Sequence, residues 1–257
     1  MAFREGEFLY ILDDQGKRHW FKAAAGMVKV PSLGSLDGDR VMALDDGARL
    51  VVAKRPMHVF RPGTTDLMSS LERGAQVITP KDAATIIMEC DIPAARTVLE
   101  VGAGSGSMSI ALLRALPPEG RLHTIELRDD FAKRAERNIA RAGLSPRWEC
   151  SVGDARTVSL PIEADVAVMD MPTPWEALAN VDGMLREGGR VCAYVPNTNQ
   201  LESAVRALRE LGYAEVRAVE NLQRGMEVHA GGVRPSFEML GHTAYLVFGR
   251  KAARGEE

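Results

Sequence analysis

The chain has 257 residues, 46% of them hydrophobic and 26% charged, and its formal net charge is −3. This composition is typical of an ordinary globular protein, and the charge excludes a chain that binds nucleic acid through an overall basic field. Because no apolar stretch has membrane-spanning length and the first residues show no basic-then-apolar leader pattern, we expect a cytoplasmic protein. The three cysteines, Cys90, Cys150 and Cys192, have no metal-ligand spacing, so we expect reduced core residues and no metal site.

The first 75 residues predict a small β-rich domain. The segment "EGEFLYILDDQGKRHWFKA" consists of two strand-like runs around a turn at residues 13–16. The segment "DRVMALDDGARLVVAKRP" has the same design around residues 45–47, and it predicts a second hairpin. Lysines and arginines nearly balance the acidic residues here, so charge alone does not make this domain a nucleic-acid arm.

Residues 76–257 predict an α/β catalytic domain built on a doubly wound, mostly parallel sheet. The segments alternate between strands and helices: "PKDAATIIMECD" (helix), "TVLEVG" (strand), "SMSIALLRAL" (helix), "RLHTIEL" (strand), "DDFAKRAERNIARAG" (helix), "RWECSVGD" and "ADVAVMD" (strands), "PWEALANVDGMLR" (helix), "GRVCAYV" (strand) and "TNQLESAVRALREL" (helix). Two further strands, "AEVRAVENL" and "TAYLVFGRK", follow without a clear helix between them, so we expect an antiparallel pair at or beside the sheet edge.

A glycine-rich loop follows the first strand of this sheet. Gly102, Gly104 and Gly106 permit a tight turn and close approach of a ligand to the backbone, and the next helix is expected to begin near Ser105. Ligands of doubly wound sheets lie beyond the carboxyl ends of the strands. Glu126 ends the next strand, where a carboxylate can accept both hydroxyls of a ribose. The glycine loop together with Glu126 favours a binding site for a nucleoside-containing ligand over a loop whose glycines only allow the chain to turn.

Two such ligands fit the loop, a nicotinamide dinucleotide and S-adenosylmethionine. The dinucleotide fingerprint is G-x-G-x-x-G, whereas Ser107 stands here where its third glycine belongs. With Glu100 included, the pattern is E-x-G-x-G-x-G, which resembles the first motif of class I S-adenosylmethionine methyltransferases.

Two later strand ends carry aspartates. Asp154 follows the third strand, where it could accept from the exocyclic amine of adenine, and Asp170 follows the fourth, facing the position of a transferable methyl group. Either aspartate could instead cap a helix or turn. Four strand ends with glycine, glutamate and two aspartates are nevertheless hard to explain by chance.

Five segments together resemble the bacterial and archaeal tRNA (adenine-58-N1)-methyltransferases: "QVITPKDAATII", "VLEVGAGSGSMSIALLRAL", "DMPTPWEAL", "AYVPNTNQL" and "RPSFEMLGHTAYLVFGRK". The resemblance covers roughly residues 74–250, and the N-terminal β domain also fits it. It implies S-adenosylmethionine as methyl donor, tRNA as substrate and a homotetramer. Because a chain of net charge −3 must bind tRNA through local basic regions, this tetramer leads us to predict that tRNA contacts come from more than one chain, with lysines and arginines of the N-terminal domain among them.

The resemblance also assigns roles to individual residues. It places the donor on Gly102, Ala103, Gly104, Ser105, Gly106 and Ser107, with Glu126 at its ribose, Asp154 by its adenine and Asp170 at the reaction centre. Tyr194 corresponds to a tyrosine that lines the target-base pocket. Thr79 precedes "PKD" where some members have tyrosine, so we expect one aromatic wall of that pocket to be absent.

The chemistry of adenine methylation gives a carboxylate at the position of Asp170 a role in stabilising charge. N1 of adenine is an uncharged nucleophile at neutral pH, and methylation makes the base cationic. A carboxylate that accepts from the N6 amine would stabilise this charge as it develops. The alternatives that remain are a class I methyltransferase for another substrate, a nicotinamide-dependent oxidoreductase, and a non-catalytic RNA-binding protein that kept the fold but lost the chemistry.

Overall fold

The computed structural model describes residues 2–72 and 77–253. The α-helices within these ranges are α1 Gly38–Met42, α2 Thr64–Ser69, α3 Pro80–Glu89, α4 Ser107–Ala115, α5 Asp129–Arg141, α6 Pro174–Met184 and α7 Thr198–Glu210. The strands are β1 Phe8–Leu12, β2 Arg18–Lys22, β3 Met27–Val30, β4 Gly34–Asp37, β5 Arg49–Val52, β6 Arg55–Phe60, β7 Thr97–Val101, β8 Arg121–Glu126, β9 Trp148–Val152, β10 Ala164–Met169, β11 Leu185–Val195, β12 Ala214–Glu220, β13 Met226–His229, β14 Gly232–Pro235 and β15 Tyr245–Arg250. No helix of the described part is both long enough and apolar enough to cross a membrane.

The N-terminal part is a four-stranded antiparallel sheet in the order β2-β1-β6-β5. Its first predicted hairpin is present as β1 and β2, which pair from Phe8 with Lys22 to Leu12 with Arg18. Asp13 closes the turn, because its Oδ1 accepts hydrogen bonds from the N–H groups of Gln15 (3.0 Å) and Lys17 (2.9 Å).

The second predicted hairpin is wrong in its first half. The run expected as a strand before residues 45–47 forms α1, whose N-terminus is capped by Asp37 accepting from the N–H of Arg40 (3.1 Å). The observed hairpin joins β5 to β6 through Ala53 and Lys54, which both have positive φ. The Asp37 N-cap stabilises a helix in this segment, whereas the alternation of apolar and polar residues alone predicted a strand.

Seven of the remaining strands form a sheet in the order β12-β15-β11-β10-β7-β8-β9, while β3 with β4 and β13 with β14 form two separate two-stranded sheets. The run from β11 to β9 is parallel, and β15 lies antiparallel between β11 and β12. The predicted α/β class, doubly wound sheet and antiparallel C-terminal pair are therefore confirmed. Helices cover both faces, since α3, α4 and α5 pack in one apolar cluster while α6 and α7 pack in another.

The junction between the two parts is tied by polar contacts as well as apolar ones. Leu67, Met68 and Leu71 lie in the same apolar cluster as α4. The Arg141 guanidinium donates to the carbonyl of Ser70 (2.7 Å), so α5 is bound to the end of α2. The boundary predicted at residue 75 lies outside the described residues and stays a prediction.

Candidate active site

A cavity of about 550 Å³ opens at the carboxyl edge of the parallel strands. Its lining includes Gly102, Gly104, Glu126, Asp154 and Asp170, which come from the ends of four strands. The fold thus brings together the strand-end residues that the sequence singled out. The volume is in the range of ordinary small-molecule sites.

Two glycines of the loop are required by its geometry. Gly102 has φ +90°, and a Cβ there would lie 2.0 Å from the carbonyl oxygen of Asp170. Gly106 has φ +80° and is the N-cap of α4, where a Cβ would lie 3.3 Å from the Cα of Ala135 on α5. Gly104 has φ +53° but faces open space, so its missing side chain leaves room at the cavity.

The other predicted loop residues do not line the cavity with their side chains. Ala103 and Ser105 are buried, and the carbonyl of Ser105 accepts from Asn138 (2.9 Å). Ser107 begins α4, two residues later than expected, and its hydroxyl donates to the carbonyl of Ile78 (3.3 Å). These residues shape the loop and anchor it to its neighbours.

Glu126 holds the glycine loop in place. Its Oε2 accepts hydrogen bonds from the N–H groups of Ala103 (2.8 Å) and Gly104 (3.0 Å), and its Oε1 accepts from the N–H of Arg128 (2.9 Å). The side chain is only 5% exposed, yet it borders the cavity. Sequence reasoning missed this contact with the loop, which no local pattern encodes because the partners lie 22 or more positions away.

Asp170 is a half-buried carboxylate beside the cavity. Its backbone N–H donates to the carbonyl of Val101 (2.8 Å), which ties the end of β10 to the end of β7. Burial, followed by the negative charge of Glu126, raises the pKa of Asp170 to about 7. A site that stabilises positive charge would favour its ionised form.

Glu100 lies beneath this site and is fully buried. Its Oε2 accepts from the hydroxyls of Ser109 (2.7 Å) and Thr124 (2.8 Å), whereas its Oε1 has no hydrogen-bond partner among the described residues. Burial is the main reason that the pKa of Glu100 rises to about 7, and the charges of Asp170 and Glu126 add to it. The carboxyls of Glu100, Glu126 and Asp170 therefore create a region that favours cations.

Asp154 forms an ion pair at the cavity rim. Both of its oxygens accept from the Arg156 guanidinium at 2.6–3.0 Å, and Arg156 also reaches Glu176 (3.0 Å). These bonds lower the pKa of Asp154. The carboxylate therefore has an arginine partner that the sequence analysis did not foresee.

Tyr194 lies at the end of β11, buried beside a polar cluster that sequence reasoning missed. Its hydroxyl is near that of Thr243 but outside hydrogen-bond geometry. Burial, then the charges of Asp82 and Asp170, raises the pKa of Tyr194. The charges of both carboxylates, Asp82 in the cluster and Asp170 at the cavity, therefore act on the Tyr194 hydroxyl.

The cluster is centred on Asp82, which is fully buried. Asp82 accepts from Lys81 Nζ (2.8 Å), Thr79 Oγ1 (2.9 Å) and Thr243 Oγ1 (2.8 Å), and Lys81 Nζ also donates to Thr243 Oγ1 (2.7 Å). Burial alone would raise the pKa of Asp82, but these bonds outweigh it and lower the pKa. The contacts join "TPKD" to "GHTAYL" across more than 160 residues.

The residues of the cavity fit S-adenosylmethionine. The open space at Gly104 can receive ligand atoms against the backbone, and Glu126 and Asp154 offer carboxylate oxygens to hydroxyl and amine groups. The sulfonium charge suits a region lined by carboxyls. Among residues 2–72 and 77–253, no group of three or more His, Cys, Asp or Glu side chains could hold a metal ion.

Comparisons with known proteins agree with this geometry. The chain is 28% identical to the tRNA (adenine(57)-N(1)/adenine(58)-N(1))-methyltransferase TrmI of Methanocaldococcus jannaschii, over 93% of each chain. Among solved structures, it resembles the tRNA (m1A58) methyltransferase TrmI of Aquifex aeolicus with a TM-score of 0.79 and 27% identity, covering 99% of this chain and 100% of that one. A S-adenosylmethionine-dependent O-methyltransferase of Thermotoga maritima gives a TM-score of 0.86 with 27% identity, covering 100% and 97%.

The family model for the tRNA methyltransferase complex GCD14 subunit matches residues 57–232. The match includes the glycine loop, the carboxylates Glu126, Asp154 and Asp170 that line the cavity, and Tyr194. It spans more than half of the chain, and so the protein belongs to this family of tRNA methyltransferases.

Proposed function

We propose that the protein transfers a methyl group from S-adenosylmethionine to N1 of adenine 58 in the T-loop of tRNA. The observation that carries this proposal is the arrangement of Asp170. It borders the cavity that fits the donor, and its charge acts on Tyr194, the residue expected in the target-base pocket. A carboxylate that borders the donor cavity and also acts on Tyr194 suits the place where donor methyl and target base would meet.

The donor would be held by backbone and carboxylate groups of the cavity. Gly102 and Gly104 allow it close to the loop, Glu126 would accept from its ribose hydroxyls and Asp154 from its adenine amine. When bound, S-adenosylmethionine supplies an electrophilic methyl group on a sulfonium. Positioning of that group against the target nitrogen then accounts for much of the rate enhancement.

Asp170 would act on the target base as a hydrogen-bond acceptor. Adenine N1 has a free lone pair, so no base must remove a proton before it reacts. Ionised Asp170 would accept from the N6 amine and stabilise the positive charge that spreads over the ring. Because burial raises the pKa of Asp170 to about 7, its ionised fraction changes near neutral pH.

The base must leave its stacked position in the T-loop to reach this site. Tyr194 would contact the extruded base, and the cluster around Asp82 supports that side of the pocket. Thr79 donates its hydroxyl to Asp82 and presents no ring, so a wider pocket is expected there. The position of 1-methyladenosine in the reacted tRNA shows whether the neighbouring adenine is also methylated.

We also propose a homotetramer, working in the cytoplasm where its substrate is found. The segment after β12 exposes large apolar side chains: Leu222, Val228, Val233, Phe237 and Leu240. Exposed apolar patches of this kind mark contact surfaces, and a second copy of the chain is the occupant that the implied tetramer supplies. Light scattering should give four copies, and Phe237→Ser with Val228→Ser should lower the mass; a fully active wild-type monomer contradicts this assembly.

Nucleoside analysis of a methylation reaction tests the proposed activity. Purified protein is incubated with an unmodified tRNA transcript and labelled donor, with a matched transcript carrying guanine at position 58 as control. We expect labelled 1-methyladenosine from the first transcript and none from the second. Label in a 2′-O-methylated nucleoside would instead show methylation of an oxygen, and either that result or no label in any nucleoside would refute the proposal.

A further inference from the structure

One face of the N-terminal sheet carries a continuous row of rings. Alternate residues of its strands point inward to the core formed by Leu9, Ile11, Phe21, Val59 and others. The opposite positions carry the residues that we call the aromatic face: Phe8, Tyr10, Trp20, His58 and Phe60. The row crosses three neighbouring strands.

The rings of the aromatic face contact one another in sequence. Trp20 stacks on Phe8 with centroids 5.2 Å apart and lies 5.0 Å from Tyr10, which in turn stacks on Phe60 at 5.5 Å. His58 follows at 6.1 Å from Phe60. Trp20 and Phe60 are partly exposed and His58 is exposed, so ring surface remains open to a partner.

The same face is cationic. The outward positions of β1, β2, β5 and β6 include Arg18, Lys22 and Arg49, and none of them carries a carboxylate. Arg18 is paired with Asp66 (3.0 Å), whereas Lys22 and Arg49 are exposed and make no ion pair within the described part of the chain. This charge stands out in a chain of net charge −3.

Open rings beside unpaired cations match the chemistry of RNA. Nucleobases stack on aromatic side chains, and phosphates bind lysine and arginine. A neutral protein partner would leave Lys22 and Arg49 without counter-charges, and an acidic one would bring carboxylates but no bases to stack on the open rings. We propose that the aromatic face binds tRNA away from the target adenine, with an unpaired base stacked on Trp20 and phosphates on Lys22 and Arg49.

The position of the aromatic face suits a second contact on the same RNA. Phe8 packs against the catalytic core, and Arg141 lies over it, 5.1 Å from its centroid. Arg141 ends α5, about 18 Å along the helix from the end beside the cavity. A tRNA is far longer than this, so its T-loop and a second region can contact both sites together. The inference rests on the proposed tRNA substrate.

Binding of the unmodified tRNA transcript to the full chain tests this inference. Trp20→Leu removes the ring, and we expect tRNA affinity to fall about 5- to 150-fold, the range for losing one base stack. Trp20→Phe keeps a ring and should restore most of the affinity. Quenching of tryptophan fluorescence by tRNA should decrease in both variants, which a merely structural role of Trp20 does not produce.

A second variant tests the two cationic residues, and its result does not depend on the packing of Trp20. Lys22→Gln with Arg49→Gln should reduce the slope of log Kd against log salt by about 1.5, since each lost phosphate contact removes about 0.7–0.9. Lys29→Gln with Arg40→Gln is the matched control, because both residues are exposed in the same domain but lie outside this sheet. The control should keep the wild-type slope, and all variants should bind S-adenosylmethionine as the wild type does.

The outcomes separate this inference from the proposed function. If the wild type methylates and binds tRNA while both sets of variants keep its affinity and salt slope, the aromatic face is not an RNA site but the function stands. A lower mass of the RNA-free Trp20→Leu variant would instead assign the face to contact between copies. If the wild type binds no tRNA at all, the proposed function itself fails.

Discussion

Replacing Glu126 tests two roles that the structure joins in one side chain. Its carboxylate accepts from three backbone N–H groups, two in the glycine loop and one at Arg128, and it borders the cavity. Glu126→Ala therefore leaves three donors without their acceptor and removes the proposed ribose contact. We expect both a less stable protein and weaker donor binding.

The magnitudes follow from the number and kind of these bonds. Leaving a buried donor unpaired costs about 1–3 kcal/mol, and water entering from the cavity reduces the sum over the three donors to about 2–3 kcal/mol. For a chain of this size, that lowers Tm by about 4–12 °C. A lost charge-assisted bond to the ribose weakens donor binding by about 1.5–3 kcal/mol, or roughly ten- to a hundredfold.

Glu126→Gln is the matched variant. The amide oxygen can still accept from Ala103 and Gly104, but the amide nitrogen then faces the N–H of Arg128 and offers no acceptor. Its Tm should lie between those of the wild type and Glu126→Ala, while its donor affinity falls because the charge is lost. Scanning calorimetry and titration calorimetry measure the two effects. An unchanged Tm in Glu126→Ala would refute the loop contact, and an unchanged donor affinity would refute the ribose assignment.

Three further substitutions probe other parts of the site. Asp170→Asn should reduce methyl transfer about 10²–10³-fold. Because the raised pKa of Asp170 means that the wild type loses stability as pH rises from about 4 to 7, the variant should also melt above the wild type at pH 8 but not at pH 4. Wild-type turnover by this variant would remove Asp170 from the mechanism. Gly102→Ala should yield little soluble protein, since its Cβ would lie 2.0 Å from a backbone oxygen. Gly104→Ala should fold but bind donor weakly, because its Cβ would enter the open space at the cavity. Equal yields and equal donor affinities of the two variants would contradict this contrast. Asp82→Ala should lower stability by about 3–5 kcal/mol in chemical denaturation because Lys81 loses its buried partner, and a loss below 1 kcal/mol would show that the cluster is not structural.

Much of the catalytic part could be predicted from local sequence. The order of strands and helices follows from periodicity, since a strand buried on both faces is continuously apolar and a surface helix is not. The glycine loop, Glu126, Asp154 and Asp170 could be placed at one edge of a parallel sheet, because the carboxyl ends of parallel strands meet there. That reasoning needed no knowledge of which strands are neighbours.

Other features depended on tertiary structure. Alternation predicted a strand where the Asp37 cap produced α1, because a capping bond depends on backbone geometry that composition does not express. The buried group of Lys81, Asp82 and Thr243 joins residues more than 160 positions apart, and the aromatic face forms only when three strands pair in register. The sequence by itself determined which chemical groups end each strand; the fold alone decided which distant groups meet, since contacts between them depend on strand order and register rather than on local pattern.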